Sequence, residues 1–167
     1  VGCATDYVKV PRVPAWDDVG IVYETADLMR FVFAEVGVFP SLSDSEYTPM
    51  SDDWVDRMLD WTWHFSHATG IAYTAESFDC DKFAKAASLA AEIAAARAGV
   101  KAQPLIARVY AMQKLPFGGV PATDGAHAVN AVLTETGIWI IEPQTRRKTE
   151  LKNYPNKNHI YHVAIGG

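Results

Sequence analysis

Apolar positions Leu28, Phe31, Val32 and Val36 follow helical spacing and predict a first helix from Glu24 to Val36, ended by Gly37 and Pro40. A second helix is predicted from Asp52 to His67. Ser51 stands at its N-cap, two acids fill its first turn and Gly70 stops it. Its aromatics Trp54, Trp61, Trp63 and Phe65 occupy more than one face, so other parts of the chain should cover much of it. A third, Ala-rich helix runs from Cys80 to Ala98, with Asp79 as N-cap and Gly99 just past its end. Beyond it the pattern changes to short apolar runs. Leu105–Met112, Ala126–Thr134, Ile138–Gln144 and Tyr161–Ile165 read as strands, and Leu115–Gly125 as a Pro/Gly loop. Glu135-Thr136-Gly137 joins two of the strands as a hairpin. Helices first and a meander of strands second imply an α+β fold, with N-terminal helices packed on an antiparallel β-sheet.

Composition narrows the partners more than the fold. The 167 residues suit one domain. Residues 1–18, with Pro11 and Pro14, read as an extended N-terminal tether, and residues 19–167 as a single domain. A net charge of −5 offers no basic face for a nucleic acid. No apolar run is long enough to span a membrane. Two cysteines, Cys3 and Cys80, are too few for a disulfide framework, although they could form one bond. Val1-Gly2-Cys3-Ala4 matches the end of a bacterial lipoprotein signal. The expectation is a membrane tether through a lipidated Cys3 and a place at the cell envelope; a start-site accident is the alternative.

The candidate chemistry lies in one ordered triplet. Cys80 opens the third helix within Phe78-Asp79-Cys80-Asp81-Lys82. His127 follows on a strand in Gly125-Ala126-His127-Ala128-Val129, and Glu142 ends the next strand fifteen residues later. A thiol needs ionising before it attacks, and the unpaired N–H groups of a helix's first turn favour the thiolate. A histidine can take its proton, and a carboxylate can fix the imidazole's tautomer. Strand alternation puts His127, Val129 and Ala131 on one face, and Ile138, Ile140 and Glu142 on one face. The groups converge only if the hairpin register aligns those two rows. Gln144 is the alternative to Glu142. For an oxyanion hole, the Cys80 N–H is the first donor and Tyr73 a candidate for the second. His64 and His67 lack the partners of a zinc site and read as packing residues.

The segment from Phe78 to Gln144 resembles the papain-like and transglutaminase-like cysteine peptidase superfamily. It is most similar to the bacterial transglutaminase-like cysteine proteinases, and is also similar to the protease domain of a fungal galactose-binding agglutinin. The resemblance rests on Asp79-Cys80-Asp81, His127-Ala128-Val129 and Glu142. It implies a papain/transglutaminase-like fold, with Cys80 as nucleophile, His127 as base and Glu142 as orienting residue. It further implies a thiol hydrolase that cleaves a peptide or amide bond through an acyl-enzyme, acting on a peptide, protein or peptidoglycan substrate in a cell-envelope or phage setting. No cofactor is required, but several such relatives bind calcium near the nucleophile, and Asp79 and Asp81 would be the ligands here. Lys82 stands where a further acid is usual. Two alternatives belong to other classes: an inactive papain-like binding or structural module, and an acyltransferase of transglutaminase type.

Overall fold

The computed structural model describes residues 11–22, 37–38, 40–42, 44–71 and 79–165. The predicted first helix, Cys3 and Tyr73 lie outside the described residues.

Among these residues two helices and a six-stranded sheet carry the architecture. Short strands β1 (Ser41–Leu42) and β2 (Tyr47–Thr48) precede helix α1 (Asp52–Ala68) and helix α2 (Cys80–Arg97). Then come β3 (Gln103–Pro104), β4 (Ile106–Met112), β5 (Ala126–Thr134), β6 (Gly137–Glu142), β7 (Arg147–Glu150) and β8 (Ile160–Ile165). The sheet order is β1-β8-β4-β5-β6-β7, antiparallel throughout except for the parallel edge pair β1–β8. The fold is α+β.

Both helices start where their caps dictate. The Ser51 hydroxyl accepts from the Trp54 N–H at 3.0 Å, and the Asp79 carboxylate accepts from the Lys82 N–H. Beyond α2, Gly99 takes the left-handed conformation (φ 76°) in which helices commonly end. Alanine is the best helix former and the smallest side chain that keeps a Cβ. Ala84, Ala87, Ala91 and Ala94 are buried, so α2 lies close against the sheet. Its placement there is pinned by Asn130 of β5, whose Nδ2 donates to the Ala84 carbonyl at 3.1 Å and to the Ser88 hydroxyl at 3.2 Å.

One face of the sheet, through Ile106, Val132 and Ile141, packs on both helices. The other face, through Val109, Val129, Ala131 and Ile140, packs on Tyr47, Leu151 and Tyr154. Helix α1 buries Trp54, Met58 and Leu59 completely or nearly so. Its outer aromatics Trp61 and Trp63 are partly covered by two different neighbours. Residues 11–18, the described part of the expected tether, are docked on this helix: Trp16 packs at a tilt against Trp54, the Trp61 indole donates to the Pro11 carbonyl, and Asp17 meets Ser51 and Arg57. The Arg146 guanidinium lies 4.5 Å over the Trp63 ring. Arg146 ends the turn after β6 with φ 60°, Arg147 and Lys148 begin strand β7, and Arg146 and Lys148 pair with Asp60 and Asp56 of α1.

Candidate functional site

The β5–β6 hairpin builds half of the site. Its register pairs Ala131 with Ile140 and Leu133 with Ile138, so the row 127-129-131 and the row 138-140-142 share a face. That alignment brings a His and a Glu, fifteen residues apart, into direct contact: the His127 Nε2–H donates to Glu142 Oε2 at 2.5 Å. Glu142 has no solvent exposure. Its second oxygen accepts the Gln144 backbone N–H at 3.1 Å, so both lobes of the carboxylate are satisfied inside the protein. Space for it comes from Gly118, which adopts φ +61°. A Cβ there would sit 3.0 Å from the Glu142 Cβ and 3.1 Å from its Cγ.

Helix α2 supplies the other half. Cys80 is its first residue and a free thiol, and its sulfur accepts the Ala128 backbone N–H at 3.3 Å. With Nε2 committed to Glu142, Nδ1 is the ring nitrogen left for the thiol, which is the imidazole's other hydrogen-bond partner. Burial opposes charge on His127, yet the hydrogen bonds to Cys80 and Glu142, with the charge of both, carry its pKa up from 6.5 to about 9. The set therefore favours an imidazolium between two acceptors. Proton transfer from Sγ to Nδ1 breaks S–H, forms N–H and leaves a thiolate beside an imidazolium.

The two acids flanking Cys80 have structural partners. Asp79 caps α2 and also meets the Lys82 ammonium at 3.4 Å. Asp81 accepts from the Tyr110 hydroxyl and pairs with Lys85 at 2.6 Å. Burial works against the charge of Asp81, but Lys85 and Tyr110 hold its carboxyl below the usual range. Burial and that same hydrogen bond push the Tyr110 hydroxyl up to about 12. Among the described residues no group of three or more Asp, Glu, His or Cys converges as a metal site. Among the described residues each carboxylate already meets a lysine and no third acid joins them.

A pocket of about 410 Å³ opens over these residues, lined by Cys80, His127, Gln113, Val120, Thr123 and Gln144 among others. Gln144 thus belongs to the wall, while Glu142 holds the imidazole. Gln113 is a site residue that sequence reasoning missed. It directly follows β4 and is 1% exposed; an amide placed just past the end of a largely apolar strand was the available signal. His64 and His67 form no pair. His64 is edge-on to the Trp63 ring, and the His67 ring lies over it and bonds the Trp63 carbonyl through Nδ1.

No protein-family model matches the chain, and no curated protein does. Solved structures do. A complex of PSL1a with E64 has a TM-score of 0.59 at 17% identity, covering 86% of this chain and 51% of that one. Polyporus squamosus lectin bound to the human-type influenza-binding epitope Neu5Aca2-6Galb1-4GlcNAc has a TM-score of 0.53 at 20% identity, covering 75% of this chain and 41% of that one. The chain therefore spans about half the length of these structures or less, and the likeness is one of fold.

These findings correct the family assignment and the function drawn from it. The second of these structures is of a lectin, and no family model or curated protein supports membership of the papain-like or transglutaminase-like peptidases. The expectation of a thiol hydrolase, and the cysteine-protease description that went with it, are set aside. A Cys, a His and a Glu brought together by a helix and a hairpin are a local geometry. Local geometry does not define what the surrounding surface binds.

Proposed function

We propose that the chain is a ligand-binding module whose ligand sits in the pocket over Cys80. The observation that carries this reading is the pocket's floor: a thiol and an imidazole at the base of a 410 Å³ opening, the imidazole held from behind by a fully buried carboxylate. A cavity of that size with a few converging polar groups is the usual form of a small-ligand site. The likeness in fold to a lectin solved with a glycan epitope supports binding as the use of the scaffold.

In this pocket Cys80 is the group with nucleophilic character. His127 is its proton acceptor, Glu142 orients the ring, and Gln144 is an amide of the wall. No Lys, Arg, Asp or Glu lines the pocket among the described residues, and the Glu142 carboxylate is fully buried behind the imidazole it holds. The site therefore suits an uncharged polar ligand, a glycan unit first and a peptide-like acyl group second.

Iodoacetamide alkylation of Cys80, in chain carrying Cys3→Ser, tests the reading. Glycans or short neutral peptides that occupy the pocket should slow the reaction in a saturable way. Replacement of His127 by Ala should lower the rate at pH 6 about tenfold. A rate that no ligand alters and that His127→Ala leaves unchanged would sink the proposal.

A further inference from the structure

The loop between β4 and β5 is tied down by two buried amides. Asn156 and Gln113 are 0% and 1% exposed, in a region otherwise filled by Phe117 and Tyr154. Buried amides are kept only where their hydrogen bonds are made, and these bonds fix both orientations. The Leu115 N–H donates to Asn156 Oδ1 at 2.8 Å, while Asn156 Nδ2 donates to the Leu115 carbonyl at 2.8 Å. The second Nδ2 proton goes to Gln113 Oε1 at 3.3 Å. Gln113 Oε1 is thereby the acceptor, and Nε2 is the end left to face the loop and the pocket.

Nε2 has two protons to place. Its protein acceptor is the Val120 carbonyl at 3.5 Å, the outer limit of a hydrogen bond. The backbone of Gln113 closes the same loop, donating to the Gly125 carbonyl at 3.1 Å and accepting from the Thr123 N–H at 2.8 Å. A nearly unused amide donor, rigidly mounted and lining the pocket beside Cys80 and His127, is a preorganised recognition group.

We infer that Gln113, held by Asn156, is the ligand-orienting donor of this pocket, and that it takes the carbonyl oxygen of an uncharged amide. The inference rests on the binding-module reading and deepens it. Val120, Pro121 and Ala126 offer an apolar wall to the flanks of such a group, and the Gln144 side chain offers it a second amide partner. The shared chemistry is the acylated nitrogen of an N-acetylated sugar or of a peptide-like chain.

The test uses the whole chain with Cys3→Ser and follows protection of Cys80 from iodoacetamide. The probes are N-acetylglucosamine and N-acetylalanine methylamide, with glucose and acetate as controls. Each variant is compared with its own unprotected rate. Amide probes should protect the parent, glucose and acetate should not, and Gln113→Glu should weaken the protection about tenfold. That variant keeps the oxygen Asn156 uses and replaces the donor. The amide that protects identifies the source, sugar or peptide-like. Equal protection of parent and Gln113→Glu overturns the role of Gln113 and leaves the pocket reading standing. Protection by glucose or acetate but by neither amide overturns the ligand class alone. Protection by nothing overturns both. Should Gln113→Glu fail to fold, the side-chain ¹⁵N resonance of Gln113 in the parent decides: it should shift with the midpoint of protection, and an unmoved resonance overturns the assignment.

Discussion

Replacing Glu142 by Gln keeps the size of the side chain and removes its charge, so it isolates what the carboxylate does to His127. The imidazole titrates at about 9 against an ordinary 6.5. At 1.36 kcal/mol per unit, the difference of 2.5 units is about 3 kcal/mol of preference for the charged ring, shared between Cys80 and Glu142 and opposed by burial. A glutamine cannot fill both places of the carboxylate. One oxygen now accepts the Nε2–H of His127 and the other accepts the Gln144 N–H. With an amide, an NH₂ must face one of them. Either the Gln144 bond is lost, or the ring gives up its Nε2 proton and changes tautomer.

An NMR titration of the His127 ring in parent and Glu142→Gln measures the outcome. The midpoint should fall by about one unit or more, because burial then acts against one partner instead of two. Stability should follow in a defined direction. The folded value lies above the unfolded one, so the stabilisation is fully present below pH 6.5, declines as pH rises, and is gone above about 9. In Glu142→Gln that slope should flatten, on top of a loss of about 1–3 kcal/mol from the unmade buried bond. A His127 midpoint that stays within about 0.3 units of the parent would refute the reasoning, since the carboxylate would then have no hold on the ring.

Gly118→Ala should destabilise the chain by about 1–3 kcal/mol in denaturant unfolding and shift the His127 midpoint with it. Its Cβ would meet Glu142 at 3.0 Å from a backbone angle of φ +61°; an unchanged midpoint would show that the carboxylate is not displaced. Asp79→Ala should cost about 1 kcal/mol as the loss of the α2 cap, read as a drop in melting temperature. Calcium should leave the melting temperature of the parent unchanged, and a calcium-dependent rise would contradict the partners assigned to Asp79 and Asp81.

Cys80, His127 and Glu142 were legible because each sits at an element boundary that leaves a mark in sequence. Asp79 caps a helix that alanine makes unmistakable, and the 126–134 and 138–142 runs are apolar stretches joined by a short turn. Parity then tied convergence to a single register, the one observed. Strand β7 was not legible. Arg147-Lys148-Thr149-Glu150 has no apolar alternation, and its place in the sheet comes from pairing with β6 and from ion pairs to α1. Strands β1, β2 and β3 are two residues each, too short to show a period. Gln113 escaped because its role depends on Asn156, which lies forty-three residues away. Function was the least legible: three residues in order suggested a peptidase, and the scaffold they sit on is like that of a lectin.

The site's parts differ in how far they must travel. His127 and Glu142 belong to one hairpin and are fifteen residues apart, whereas Cys80 contacts Ala128 across forty-eight residues. Short-range contacts close sooner during folding than long-range ones. The imidazole and its carboxylate therefore come together as the hairpin forms, and the thiol joins when α2 settles on the sheet through Asn130. Cys80 thus serves as a built-in clock for that docking event. Its chemical reactivity, sampled during refolding, reports the moment the helix arrives.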